Sequence, residues 1–486
     1  MKTFKMAANL FFALLIALVN SACGNNNAPN GPANETEKVN RFIVDGFDVY
    51  YLWNREMPHT NPKTEKNPYE LFEKLRYKDD RWSMLTDNVQ SLLESFSGTG
   101  ATFGYSLAFY RLAEERPDVF AVVEYVYANS PAEQAGIERG HLFVGKNGGK
   151  ITVDNYTDLL YAPAVELDFG RLEGDVLNYT GQKVSLNAVK EYMDPVIRDE
   201  TLDVDGKKIG YLVYTDYLLK SHGRLKDAFA KFAQEGVDEL ILDLRYNSGG
   251  YALTSLILSS MIVPVAVLDN HEMYLKQVYN QHLTDYFANR NEVPVDYYDR
   301  RYQYTDENGK TEGVTIDSHL NLSRLFVITG RNTASASEAT IAGVKPYLDV
   351  VLVGEKTAGK YNGGTIVTPE NLYTLPDMSI ANWGMYIMIY RYMNKNGFPE
   401  SQGGIEPDVR VQENLLQNPT ALGSLSEPLL KTVVDLIGGL SPQGAQDALG
   451  SPFGSRFERL DVQNNAPKGM VELNMKRLPL PLILPD

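Results

Sequence analysis

The chain has 486 residues, 43% of them hydrophobic, and a formal net charge of −16. That apolar content supports a sizeable core, and the length suits about two to four domains. So acidic a chain gains nothing from a phosphate backbone, which argues against nucleic acid as a partner; a lone cysteine excludes a disulfide framework.

Residues 1–22 read as a signal peptide. A positive start, MKTFK, precedes the apolar run NLFFALLIALV, too short to span a bilayer comfortably. Small residues then lead to Cys23, and residues 23–35 form a flexible tether rich in Asn, Pro and Gly. A single cysteine at this point resembles the lipid-attachment site of bacterial lipoproteins, although Asn20 stands where that site usually has leucine. The expectation is an exported protein of the periplasm or cell envelope. Lipid on Cys23 would anchor it to a bacterial membrane, the outer one being expected. Ordinary signal cleavage is the alternative. No later stretch reaches a membrane-spanning length without charge.

Residues 36–97 form an N-terminal helical segment, with Phe42, Val49, Leu52 and Trp53 at roughly helical intervals. Packing explains them, and no chemistry is expected there. Residues 98–195 alternate β-branched and aromatic runs with glycine turns. Pro131 and Ala132 fit a short helix after Ser130, and Gly136 and Gly140 fit turns. This segment resembles a PDZ domain. Ser130-Pro131-Ala132-Glu133-Gln134-Ala135-Gly136-Ile137 matches the signature SPAxxAGL, and Phe103-Gly104-Tyr105 falls in the region of the carboxylate-binding loop. His141 departs from it, standing where aspartate is common. The resemblance implies a peptide partner with a free C-terminus, added as a strand to a sheet edge.

Residues 196–430 read as an α/β core. Near-continuous apolar strands such as DELILDL and LSRLFVIT alternate with helical patterns, which calls for a sheet covered on both faces. Residues 431–486 form a C-terminal extension from which no chemistry is read. The fold class expected is thus an α/β catalytic core preceded by a PDZ-like β-rich domain and a helical segment.

Three loops at strand ends carry the chemistry. None of the six histidines forms HExxH or pairs at helical spacing, so no metal site is expected, and there is no GxSxG elbow. Ser335 and Ser337 lie beyond a buried strand at a helix start, where N–H groups favour developing negative charge. N-capping, with Glu338 completing a capping box, explains the same serines. The loop GEKTAGK brings Lys356 and Lys360 near, and a dry lysine can lose its proton and act as a base. Chemistry alone does not choose between the two.

Four ordered motifs make residues 36–430 resemble the C-terminal-processing (tail-specific) peptidases. Leu244-Arg245-Tyr246-Asn247-Ser248-Gly249-Gly250 resembles LRxNPGG, with Ser248 replacing proline. Ser335-Ala336-Ser337-Glu338 resembles the end of SASASE, with Thr333 at its first position. Gly354 to Lys360 resembles GexTfGK, and Gly403 to Asp408 resembles GxGIxPD. The resemblance implies Ser335 as nucleophile and Lys360 as general base, with Ser337 and Lys356 structural. Backbone N–H groups of Gly249 or Gly250 and of Ala336 would hold the oxyanion, and no cofactor is needed. The implied function is a serine endopeptidase cleaving exported proteins or peptides near their C-termini through an acyl-enzyme. The alternatives are a catalytically weak or silent peptide-binding lipoprotein and a serine hydrolase of non-peptide substrates. Many members orient the lysine with a glutamine four residues on. Here that position is Gly364, and Asn362 is one substitute.

Overall fold

The computed structural model describes residues 34–112, 118–174, 176–306, 309–397, 403–417, 419–441 and 457–460. The signal, the tether and Cys23 lie outside them, as does most of residues 431–486.

The first helix, Glu35–Tyr50, begins where the Asn34 side chain accepts the Glu37 N–H. Val39, Phe42, Ile43, Phe47 and Tyr50 recur at three- and four-residue steps and are all buried. Phe47 meets Phe72 of the helix Pro68–Leu75 edge-on, with centroids 5.0 Å apart. This segment is not free-standing. A Cβ on Gly46 would lie 2.5 Å from Cε of Met385, the end of a flexible side chain on the strand Gly384–Met393, so helix and strand pack closely here. The short strand Met84–Thr86 pairs antiparallel with the same strand, Met84 opposite Tyr386.

The PDZ-like β-rich domain follows. Its strands Tyr105–Leu112, Val119–Val126, Leu142–Lys146, Ala164–Glu173 and Val176–Asn187 lie side by side in that order. Ser130 caps the short helix Pro131–Gln134 through the Glu133 N–H. The C-terminal extension, from which no chemistry is read in the sequence, returns here. Phe457–Arg459 pairs antiparallel with Tyr105–Leu112, and the Leu460 N–H donates to Phe109 O at 2.8 Å. Phe457 packs edge-on to Phe120, and Arg459 forms an ion pair with the buried Glu124. Arg459→Ala is expected to lower stability by about 3 kcal/mol in denaturant unfolding, because Glu124 would keep a buried charge without its cation. An unchanged midpoint would mean that this strand contributes little.

The core sheet runs, in space, Val409–Arg410, Asp349–Gly354, Arg324–Thr329, Glu239–Asp243, Lys207–Tyr214 and Val196–Val204. All neighbours are parallel except the last pair. Side chains along each strand alternate between two clusters, as a strand's two-residue period requires. Leu240, Leu242, Leu325 and Val327 join one cluster with Leu225 and Phe229 of the helix His222–Glu235. Ile241, Phe326 and Ile328 join the other with Leu430 and Val433 of the helix Pro428–Ile437. That last helix carries the core past residue 430. A second sheet holds Gly384–Met393 between its neighbours Met84–Thr86, Met273–Tyr279 and Asn362–Val367. Among the described residues no helix is long and apolar enough to cross a membrane.

Candidate active site

The strands Glu239–Asp243, Arg324–Thr329 and Asp349–Gly354 are adjacent and parallel, so the loops leaving their C-terminal ends meet at one edge of the sheet. Hydrogen bonds join them. Thr333 Oγ1 donates to Leu244 O at 2.7 Å, the Ala334 N–H to Asn247 O at 3.1 Å, and the Ala358 N–H to Thr333 O at 2.9 Å. Ser337 Oγ also donates to Asn247 O, at 3.0 Å, which places its hydroxyl in the scaffold.

Ser335 precedes the helix Ala336–Val344 with φ 58° and ψ −110°. A non-glycine residue held there stores about 1–3 kcal/mol of strain and persists only where its neighbours fix it. Glu338 fixes it. The Ser335 and Lys360 N–H groups both donate to Glu338 Oε2, at 2.8 and 2.7 Å. The Gly359 N–H donates to Oε1 at 2.8 Å, and the Thr357 hydroxyl at 2.5 Å. Burial pushes the Glu338 carboxyl pKa up, against the pull of these four donors. The capping residue expected from sequence is thus also the tie between the two candidate catalytic residues. Capping and chemistry are compatible roles of one serine.

Lys360 is fully buried. Desolvation lowers its pKa to about 7, against the opposing charges of Asp80 and Glu338. Nζ donates to Tyr386 Oη at 3.1 Å and lies 5.1 Å from the Trp82 ring centroid. Lys356, in contrast, is half-exposed and paired with Glu406 at 2.9 Å. Asn362 does not bond the lysine: its buried Oδ1 has no partner among the described residues. Trp82 and Asp80 belong to the segment from which no chemistry was expected, and its sequence carried no signal of this contact. The buried His222 is engaged by Thr254, 2.8 Å from Nε2, and by Tyr304. A lysine neutral in the fold but charged in the unfolded chain opposes folding between pH 7 and its ordinary 10.5, and the penalty is largest at pH 7 and below. Lys360→Met is therefore expected to raise stability near neutral pH by about 1–2 kcal/mol. Thermal melts at pH 7 and pH 10 check this, and the gain should shrink at the higher pH.

Among the proposed oxyanion donors, the Gly249 N–H already donates to Asn247 Oδ1 at 2.9 Å. The Gly250 and Ala336 N–H groups make no hydrogen bond among the described residues. Gly249 contributes space instead. Its φ is 111°, and a Cβ there would lie 3.0 Å from Ser335 Cβ and 3.1 Å from Ala336 N.

In the PDZ-like domain the Phe103 and Tyr105 side chains are buried, and Tyr105 Oη donates to Leu159 O at 2.7 Å. Gly104 has φ 85°, and a Cβ would meet Ser130 Cβ at 2.1 Å. Within this loop the Gly104 N–H donates to Thr102 Oγ1 at 3.0 Å, and the Phe103 and Gly104 carbonyls accept the Ala132 and Tyr127 N–H groups. Arg139 joins this domain to the core, donating to Thr420 O at 2.9 Å and pairing with Glu413 at 2.7 Å. Burial alone would raise the Glu413 carboxyl, but Arg139 and Arg245 hold it at about 2.

A helical N-terminal region, a PDZ-like domain and an α/β core whose strand-end loops converge on a serine and a dry lysine define a peptidase-type architecture. The core matches the model of peptidase family S41 over residues 208–411, and the helical segment matches the peptidase S41 N-terminal domain over residues 38–84. Together these matches cover just over half of the chain, and the chain belongs to peptidase family S41. It is 26% identical over 304 residues to the chloroplastic C-terminal processing peptidase of Tetradesmus obliquus, covering 60% of this chain and 56% of that one. It is 24% identical over 383 residues to the carboxyl-terminal-processing protease of a Picosynechococcus strain, covering 77% and 80%. The chain spans 56–60% of the length of the first three such relatives. A crystal structure of a Bacteroides fragilis S41 protease superposes with TM-score 0.63 and 23% identity, over 82% of this chain and 97% of that one.

Proposed function

We propose that this protein is a serine endopeptidase that cleaves exported proteins or peptides near their C-termini through a Ser335–Lys360 dyad. The observation that carries this reading is the shared Glu338 carboxylate, which holds the backbones of a strained serine and of a lysine whose pKa lies near 7. Neutral Lys360 takes the Ser335 proton as the hydroxyl attacks a peptide carbonyl. The Gly250 and Ala336 N–H groups receive the oxyanion. The lysinium then protonates the leaving amine, and water clears the acyl-enzyme. Ser335 and Lys360 are both fully buried, so a peptide reaches them only when part of the enclosing wall moves. The PDZ-like domain captures the substrate's C-terminal carboxylate, and lipid on Cys23 holds the enzyme at the cell envelope.

The test is cleavage of matched peptides with free and amidated C-termini by the intact chain. Cleavage that favours the free carboxylate and vanishes in Ser335→Ala supports the proposal. Binding without cleavage would instead identify a silent peptide-binding protein. Equal rates on both peptides would remove the carboxylate-capture step.

A further inference from the structure

The substitution at Gly364 has a structural counterpart on the neighbouring strand. Asn362–Val367 and Gly384–Met393 pair antiparallel, with Ile366 opposite Tyr386 and Gly364 opposite Met388. A Cβ on Gly364 would stand 2.7 Å from both Cε2 and Cζ of Tyr386, and 2.7 Å from Met388 Cε. The tyrosine ring thus fills the volume that any side chain at 364 would need. Its hydroxyl oxygen accepts from Lys360 Nζ at 3.1 Å, and its ring centroid lies 4.8 Å from the same nitrogen. Trp82, reaching in from the N-terminal segment, supplies a second ring at 5.1 Å.

We propose that Tyr386 is the positioning residue of Lys360, taking over from across the sheet the place of an amide at position 364, with Trp82 as the second wall. The inference rests on the Ser335–Lys360 reading. A phenol oxygen that accepts one N–H constrains the amine's rotation, so its lone pair has a defined direction. Both ring positions also suit the cation formed when the lysine takes the serine proton, because an aromatic face attracts an ammonium. Neither group adds a permanent charge. The Tyr386 hydroxyl stays protonated, since burial and then Asp80 push its pKa well above 10. The charges facing the amine are Asp80, from the segment before Met84–Thr86, and Glu338, from the helix Ala336–Val344.

Tyr386→Phe in the full chain keeps the ring and removes only the oxygen. The chain should fold with an unchanged melting temperature. Its kcat should fall about 10- to 100-fold with KM little changed, as for a misdirected reacting group. The acidic limb of its pH–rate profile should move to lower pH, because the lost oxygen accepts more strongly from an ammonium than from an amine. A merely structural tyrosine would not move that limb. The second arm compares Tyr386→Ala with Tyr386→Ala/Gly364→Gln, where the vacated ring volume receives an amide. Partial recovery of kcat in the double variant is expected. Wild-type kcat and pH profile in Tyr386→Phe would overturn the inference. Lys360→Ala, measured in parallel, separates the two failures. If it is inactive while Tyr386→Phe is wild-type, only the positioning role falls; if it stays active, the dyad falls and the positioning role with it.

Discussion

Lys360→Arg is expected to leave a less stable but folded chain whose peptide cleavage is reduced about 10²- to 10⁴-fold, the scale of a lost general base. Arginine has much of the reach but stays protonated in proteins, so it offers no lone pair to the Ser335 hydroxyl. If the lysine acted only as a charge, this variant would keep substantial activity. The wild-type pH dependence follows from the same group. Burial lowers the Lys360 pKa to about 7, so the neutral base is scarce below that value and predominant above it. Activity should therefore rise between about pH 6 and pH 8 and then level off. Rates across that range, with folding checked by circular dichroism at each pH, decide the matter. A profile that is flat from pH 5 to pH 9 would contradict a titrating lysine.

Glu338→Gln is expected to have the next largest effect. The carboxylate accepts four hydrogen bonds, three of them from backbone N–H groups. An amide has one acceptor oxygen, and its NH₂ must face either the Ser335 and Lys360 N–H groups or the Gly359 N–H and the Thr357 hydroxyl. Each buried donor left without a partner costs about 1–3 kcal/mol. The strained Ser335 backbone would relax, and a displacement of the order of 1 Å costs about 10²-fold in rate. A drop in kcat of that size, with a lower melting temperature, is the expected result. Glu338→Ala should be less stable still, since it leaves all four donors without their carboxylate. Full activity in Glu338→Gln would show that the two residues are held by something else.

Much of the fold was legible because each segment's apolar pattern agrees with its environment. Ile241 and Leu242 face opposite covered sides of one sheet, so their strand reads as a continuous apolar run. The helix Glu35–Tyr50 shows its buried stripe directly. The candidate site was legible where its residues are contiguous: Ser335 with Glu338, and Lys356 with Lys360. It was not legible where residues meet across the fold. Tyr386 lies in GMYIMIYRYM, where it is one of three tyrosines in a buried strand, and nothing local marks it as facing a lysine. Trp82 lies 5.1 Å from Lys360 Nζ, two residues before the short strand Met84–Thr86 that pairs beside Tyr386. Gly364 was the one visible sign, a missing side chain whose replacement comes from another strand. Arg459 was hidden for a related reason. A tail rich in turn residues gives no period to read, and its charge finds Glu124 only after the strand Phe457–Arg459 has paired. Gly249 shows the converse limit. The motif marks a glycine there, but only the geometry shows that its N–H is committed to Asn247 and that it provides space.

The most direct test of the Ser335–Lys360 dyad is the mass of the chain after reaction with a serine-directed phosphonate carrying a peptide, followed by mapping of the modified residue. One adduct is expected, on Ser335, formed faster at pH 8 than at pH 6, absent from Ser335→Ala and strongly slowed in Lys360→Arg. An adduct on another residue, or labelling of Ser335→Ala at the wild-type rate, would contradict the dyad.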